Sequence, residues 1–206
     1  MSVHDAAERL GAEVSSLGLA MNEEQLRQLA RFEDLLVTRG IPLGLIGEGD
    51  SARLRTRHVL DSLRAAVAVL PTDRTAYDLG SGAGLPGIPV AIARPGLSIA
   101  MVESRRKRAA FLELVVGELG LANASVAASR VDELGEPRDL CFARAIAGLT
   151  RSWAMARPLL GPRGRLVYFS GKRAVPDEPL PGAASTLVLR HAVLESNGPL
   201  VIMARQ

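Results

Sequence analysis

Tyr77-Asp78-Leu79-Gly80-Ser81-Gly82-Ala83-Gly84-Leu85-Pro86-Gly87 sets a carboxylate two residues ahead of three alternating glycines. Glycine lacks Cβ, so it can take a positive φ and let backbone amides come close to a ligand. Between a strand and a helix, such a turn holds a nucleotide-like cofactor at the carboxyl end of an α/β sheet. Two cofactor chemistries fit the spacing. Read from Gly82, the segment is a G-x-G-x-x-G dinucleotide fingerprint. Read from Asp78, it is D-x-G-x-G-x-G, in which the acid can pair with a cationic amino group such as that of S-adenosylmethionine (SAM). Asp78 favours the second.

Three later positions extend the same site. Glu103, with Ser104 behind it, lies 21 residues beyond Gly82. An acid there can accept hydrogen bonds from both ribose hydroxyls, a need that NAD and SAM share. Ser129-Arg130-Val131-Asp132 follows the third strand candidate, where backbone groups and Val131 could frame an adenine. Arg130 could bind cofactor there or pair with a surface acid. Arg144 closes a fourth apolar run, where a guanidinium is expensive to bury unless paired or hydrogen-bonded. A structural ion pair would satisfy it. Its place at a strand's carboxyl end favours the ligand crevice.

These residues need a sheet to bring them together. Strand candidates are Thr75–Leu79, Leu97–Val102, Ser125–Ala128, Leu140–Ala143, Arg165–Phe169, Thr186–Leu194 and Leu200–Ala204. Helical stretches at Gly87–Ala93, Arg105–Leu119 and Ala147–Leu160 lie between them, which predicts a mostly parallel sheet with right-handed crossovers. Asn197-Gly198 signals a hairpin joining the last two strands. Residues 1–71 are expected to form a helical segment, with helices over Ala6–Leu17, Asn22–Arg39 and Arg53–Leu70 and a Gly/Pro-rich loop from Gly40 to Asp50. Residues 72–206 would then be the cofactor-binding domain. The predicted fold is α/β and Rossmann-like, a seven-stranded mostly parallel sheet with an antiparallel edge hairpin. That is the class I SAM-dependent methyltransferase architecture. A dehydrogenase domain more often opens on its glycine turn, whereas here three helices precede it.

Composition narrows the class. Hydrophobic residues make up 48% of the chain and aromatics only 3%, so the core is built from aliphatic side chains, as suits a sheet covered by helices. A net charge of +3 permits an anionic partner without requiring one. Cys141 stands alone, which excludes a disulfide framework, and His4, His58 and His191 have no ligand spacing, so no metal is expected. The absence of a long apolar run or a leader pattern reads as a cytoplasmic chain without a membrane partner.

Taken together, these residues resemble the ribosomal RNA small subunit methyltransferase G family, from about Asn22 to Ala204. Leu85-Pro86-Gly87 narrows a generic SAM loop to that family, and Arg57-His58-Val59-Leu60-Asp61-Ser62 matches its R-H-x-x-D-S signature. Glu103 with Arg108-Ala109-Ala110-Phe111-Leu112, then Ser129-Arg130-Val131, then Arg144-Ala145 follow in the family's order. The resemblance implies methyl transfer from SAM to N7 of a guanine in small-subunit (16S) ribosomal RNA, leaving S-adenosylhomocysteine. It implies that Asp78, Gly80, Ser81, Gly82, Gly84, Leu85, Pro86, Glu103, Ser104, Arg130 and Val131 bind SAM, and that His58, Asp61 and Arg144 surround the reaction centre or cofactor.

Two positions depart from the family. Gly44-Leu45-Ile46 replaces Asn-Leu-Thr, and Ser170-Gly171 replaces Lys-Gly at the end of the fifth strand, with Lys172 and Arg173 just beyond. A paralogue acting on a small molecule or another RNA, and a non-catalytic SAM-binding regulator, therefore remain alternatives. The expected partner is ribosomal RNA or the small ribosomal subunit, met by a monomer. Basic candidates for RNA are Arg53, Arg55 and Arg57, then Arg105-Arg106-Lys107-Arg108, then Arg163, Arg165, Lys172 and Arg173. Such runs are also found on purely solvated faces.

Overall fold

Asn22 caps the second helix of the chain. Its Oδ1 accepts from the Gln25 amide at 2.9 Å and the Gln25 side chain accepts from the Asn22 amide at 2.9 Å, a reciprocal capping box. The structure is a computed structural model and describes residues 3–171, 180–190, 194 and 197–206. Lys172 and Arg173, and Glu195-Ser196 before the hairpin signal, lie outside the described residues.

Helix α1 (Val3–Ser16) and helix α2 (Glu23–Leu35) lead into a widened π turn at Leu36–Gly40. The single helix expected over Arg53–Leu70 is instead three pieces. They are a 3₁₀ turn at Glu48–Arg53, a π turn at Arg55–Val59 and helix α3 (Leu60–Val67). The break has a local cause: Ser62 Oγ and the Arg144 guanidinium both donate to the His58 carbonyl, at 2.6 and 3.1 Å, and Arg144 also donates to the Arg57 carbonyl at 2.7 Å. Side chains thus compete with helical amides for those acceptors.

The remaining elements alternate as expected. They are β1 (Thr75–Leu79), α4 (Gly87–Ala93), β2 (Ser98–Val102), α5 (Arg106–Leu119), β3 (Ala124–Ala127), β4 (Arg138–Arg144), α6 (Leu149–Ala156), β5 (Leu160–Phe169), β6 (Ala183–Leu189) and β7 (Leu200–Arg205). The sheet order is β3-β2-β1-β4-β5-β7-β6. The first five strands run parallel, and β7 runs antiparallel to both β5 and β6. β5 starts earlier than Arg165, with Leu160 paired to Arg138 ahead of a register shift between Arg138 and Leu140. β6 spans Ala183–Leu189 rather than Thr186–Leu194.

Register decides what leaves the sheet together. Leu79 pairs with Val102 on one side and Ala143 on the other. Gly80, Glu103 and Arg144 therefore emerge at the same carboxyl edge. One face packs Leu63, Ile88, Phe111 and Leu112 with Leu10 and Leu29 from the leading helices, while the other packs Trp153 and Ala156 of α6. Gln25 donates to the Ile92 carbonyl at 2.7 Å and Gln28 to the Leu119 carbonyl at 2.9 Å, tying α2 across α4 and α5. No helix among the described residues is long and apolar enough to cross a membrane.

Arg165 is the clearest correction at this level. It meets Asp73 at 2.6 Å with both side chains largely buried, at the end of the sheet opposite the glycine turn, so it offers no basic surface. Arg55 is likewise engaged, pairing with Glu33 at 2.8 Å.

Candidate functional site

Gly80, Gly82 and Gly84 all have positive φ, at 68°, 59° and 84°, which is why alternate residues of this turn lack a Cβ. At Gly84 space adds a second reason: a Cβ would lie 2.7 Å from Ile88 Cγ1 and 3.1 Å from Leu112 Cδ2. The Ser81 amide donates to the Val102 carbonyl at 3.0 Å, fastening the turn to the end of β2.

Asp78 sits beneath the turn rather than on its surface. It is 1% exposed. Its Oδ2 accepts from the Gly87 amide at 3.0 Å, at the start of α4, while Oδ1 is buried with no hydrogen-bond partner. Burial pushes its pKa up to about 6, against the Gly87 hydrogen bond and the nearby Arg144 charge. Glu103 closes the other side: Oε2 accepts from the Gly82 amide at 3.1 Å and Oε1 from the Arg105 amide at 2.8 Å. Each carboxylate oxygen keeps a further lone pair for a ligand hydroxyl.

Above these residues opens a cleft of about 1030 Å³, lined by Gly80, Glu103, Ser104, Arg130 and Val131 among the expected residues. Asp78, Ser81, Gly82, Gly84, Leu85, Pro86 and Arg144 do not line it. Ser81 to Pro86 belong to the turn itself, and Asp78 meets the Gly87 amide at the start of α4. Arg130 reaches Asp132 at 2.9 Å with both side chains exposed, the surface ion pair that the sequence left open. Sequence reasoning missed Arg151 and Met155 of α6, which line the opposite wall. The helix after β4 had to border this edge, so its first turns carried the signal. Cys141 is fully buried, and burial pushes its thiol pKa up, so no thiolate faces the cleft.

The Arg57–Ser62 signature converges on Arg144. Arg144 Nη1 donates to the His58 carbonyl at 3.1 Å and Ser62 Oγ at 2.8 Å; Nη2 donates to the Arg57 carbonyl at 2.7 Å and lies 3.2 Å from Asp61 Oδ2. Its guanidinium also stands 5.4 Å over the Phe169 ring. Burial opposes its charge, and Asp61 supports it. His58 Nδ1 lies 3.5 Å from Arg144 Nη2, and its Nε2 lies 3.5 Å from Asp50 Oδ2. Burial first and the Arg144 charge second hold the His58 pKa below its usual value, against Asp50. The imidazole is therefore neutral at neutral pH. Arg57 pairs with Asp50 at 2.8 Å while half exposed.

Gly44 has φ +67° with open space around its Cα. Asparagine also tolerates that left-handed conformation, so the Asn that the resemblance implies at this position would fit the same turn. Arg105, Arg106 and Lys107 are exposed.

Comparison with known proteins gives the family and the fold. The family described as rRNA small subunit methyltransferase G matches residues 25–188. Ribosomal RNA small subunit methyltransferase G of Mycobacterium leprae (strain TN) is 43% identical over 148 residues, covering 69% of this chain and 59% of that relative. The Nocardioides sp. (strain ATCC BAA-499 / JS614) protein of that name is 40% identical over 179 residues, 86% of this chain and 67% of the relative. The match thus spans less than two thirds of the M. leprae protein's length. Among solved structures, a methyltransferase from Geobacter sulfurreducens superposes with a TM-score of 0.60 at 15% identity, covering 96% of each chain. A SAM dependent methyltransferase from Aquifex aeolicus gives 0.55 at 15% identity over 80% of this chain and 97% of that one. At these identities the structures establish the fold.

Proposed function

Because this chain belongs to the ribosomal RNA small subunit methyltransferase G family, we propose that it transfers a methyl group from SAM to N7 of a guanine in small-subunit ribosomal RNA. The observation that carries the reading is the cleft at the carboxyl edge of the sheet, where Gly80, Glu103 and Val131 converge. The residues fit the cofactor. Asp78 keeps an unpartnered oxygen under the glycine turn, and Glu103 retains lone pairs for ribose hydroxyls. Gly80 to Pro86, Glu103, Ser104 and Arg130-Val131 are the proposed holding residues. When bound, SAM supplies an electrophilic methyl group on a sulfonium.

Guanine N7 presents a lone pair, so no side chain must remove a proton before attack. The chain's task is to fix and orient the partners, an effect worth up to about 7–11 kcal/mol. In this reading Arg144 and Asp61 do not meet the base. They hold the segment carrying neutral His58 against the end of β4. Arg105, Arg106 and Lys107, exposed beside the cleft, supply phosphate contacts that position RNA without reading its sequence. The proposed setting is the cytoplasm, with a monomer acting on the small ribosomal subunit. Ser170, where the family carries lysine, favours a second reading in which a relative with the same chemistry takes another acceptor.

Incubation with methyl-labelled SAM and small subunits lacking the modification tests the assignment. Label on a single guanine N7 is the expected result. Absence of label with SAM bound in calorimetry would favour the other acceptor.

A further inference from the structure

Ala145 and Ile146 follow Arg144 at the end of β4, where the backbone takes an uncommon conformation. Ala145 has φ +54°, in the left-handed region that glycine enters freely and that penalises a residue with a Cβ. Among the described residues Arg163 is the only other non-glycine with positive φ, and it does not line the cleft. Ala145 does. Such strain persists only where the surroundings over-determine it, and it concentrates at ligand sites.

Two elements over-determine this turn. The Ala147 carbonyl accepts from Tyr168 Oη of β5 at 3.1 Å and from Ser152 Oγ of α6 at 3.3 Å, and both donors belong to buried residues. The Ser152 amide also donates to the Gly148 carbonyl at 2.9 Å. The turn so fixed delivers Ile146 onto the glycine loop: a Cβ at Gly80 would lie 2.7 Å from Ile146 Cδ1 and 3.0 Å from Cγ1. Gly80 and Ile146 both line the cleft, and Ile146 is only half-buried, so part of its surface is left for a ligand. Because β1 lies between β2 and β4, Glu103 and Ile146 flank Gly80 from opposite sides. A left-handed alanine opposes folding, so the turn calls for a reason other than packing, and the cleft supplies one.

We propose that Ile146 is a cofactor-contacting residue, the apolar side of a slot whose floor is Gly80 and whose polar side is Glu103. Tyr168 is its positioning residue, acting through the Ala147 carbonyl. A nucleoside seated over Gly80 is then gripped at its hydroxyls from the β2 side and along its apolar surface from the β4 side. The identity of the ligand rests on the SAM reading; the coupling between positions 146 and 168 does not.

The test is a double-mutant cycle of wild type, Ile146→Ala, Tyr168→Phe and the double variant, with SAM affinity by calorimetry and thermal midpoint measured for each. Ile146→Ala should weaken SAM binding about tenfold, as removing methylene contacts from a pocket does. Tyr168 does not line the cleft, yet Tyr168→Phe should weaken binding about three- to tenfold by releasing one hydrogen bond on the turn. In the Ile146→Ala background the same change should alter SAM affinity by less than about twofold, since no side chain is left to place. A merely structural hydroxyl would lower the midpoint equally in both backgrounds and leave affinity alone. Wild-type affinity in either single variant, or losses that multiply in the double variant, overturns the proposal. Should wild type bind no SAM, the functional reading fails by itself, and the four proteins are titrated with adenosine. An adenosine loss in Ile146→Ala that absorbs the Tyr168→Phe effect supports the slot; equal affinities, or no adenosine binding by wild type, overturn it. If Ile146→Ala does not fold, Ile146→Val takes its place in the cycle with the same reading.

Discussion

Arg144 and Asp61 meet at 3.2 Å across the join between β4 and α3, and the Nη hydrogens of Arg144 have four protein acceptors there. Replacing Arg144 with Met removes a donor from the Arg57 and His58 carbonyls, Ser62 Oγ and Asp61 Oδ2, although Ser62 Oγ still donates to the His58 carbonyl and Arg64 still meets Asp61. Breaking a buried pair from one side costs about 3–5 kcal/mol. Because Arg64 still pairs with Asp61, urea unfolding of Arg144→Met should show a loss at or just below the lower end of that range, about 2–3 kcal/mol. A loss below about 1 kcal/mol, typical of exposed pairs, would mean that the contact is solvated.

His58 reports on the same join. Its folded pKa lies below the unfolded value near 6.5, with burial the larger cause and Arg144 the second. The unfolded chain therefore takes a proton that the folded chain refuses, so this group's contribution is constant above that pH and erodes as pH falls below it. Titration followed by imidazole NMR should show the depressed pKa, moving upward in Arg144→Met. An unmoved His58 in that variant would separate the two groups electrostatically.

Asp78 titrates in the opposite sense. Its folded pKa near 6 exceeds the ordinary 3.8, so between those values the folded chain keeps a proton that the unfolded chain has lost. Stability from this group falls as pH rises from about 4 to 6 and then levels. Asn at this position cannot ionise. The melting midpoint of Asp78→Asn relative to wild type should therefore climb across that window, and parallel curves would contradict the burial argument.

The glycines of the turn are not equivalent. At Gly82 a Cβ would find no atom nearer than 3.8 Å, against 2.7 Å at Gly84. Both alanine variants pay about 1–2 kcal/mol for a left-handed conformation, and Gly84→Ala adds a collision. Denaturant midpoints should rank Gly84→Ala clearly below Gly82→Ala. Gly82→Val should fold yet lose SAM affinity, which calorimetry would show.

Arg105, Arg106 and Lys107 form no ion pair among the described residues, whereas Arg27 and Arg31 on α2 pair with acids. Replacing the three by Ala should flatten the salt dependence of RNA binding by about 2 in slope, taking roughly 0.7 per single-strand phosphate contact. The matching Arg27 and Arg31 variant should leave the slope alone. Equal slopes in both would place RNA elsewhere.

The sequence was most legible where chemistry and backbone demand the same residue. Gly80, Gly82 and Gly84 all need positive φ, and at Gly80 and Gly84 a Cβ would also collide with Ile146 and Ile88; the strand before them ends at Leu79, as its apolar run predicts. The widened turn at Arg55–Val59 was not legible, because its cause is a guanidinium arriving from Arg144 on another element. Arg165 read as basic surface for the same reason: its partner Asp73 lies far away in sequence. Asp78 was found, but its direction was not, since an acid that caps the start of α4 from below looks identical in sequence to one facing the ligand. Local spacing thus recovered elements, while contacts between distant charged residues needed the folded chain.

Arg64 on α3 and the Gly198 carbonyl it holds are separated by 134 positions. Contacts of such separation are closed against the largest chain entropy and reward folding late. During synthesis from the amino terminus, strands β1 to β4 are complete well before Gly198 has been made. The contact between α3 and Gly198 is therefore expected to form in the last stage of folding. Mutations at Arg64 should speed unfolding while leaving the folding rate nearly unchanged, which a denaturant chevron would read directly.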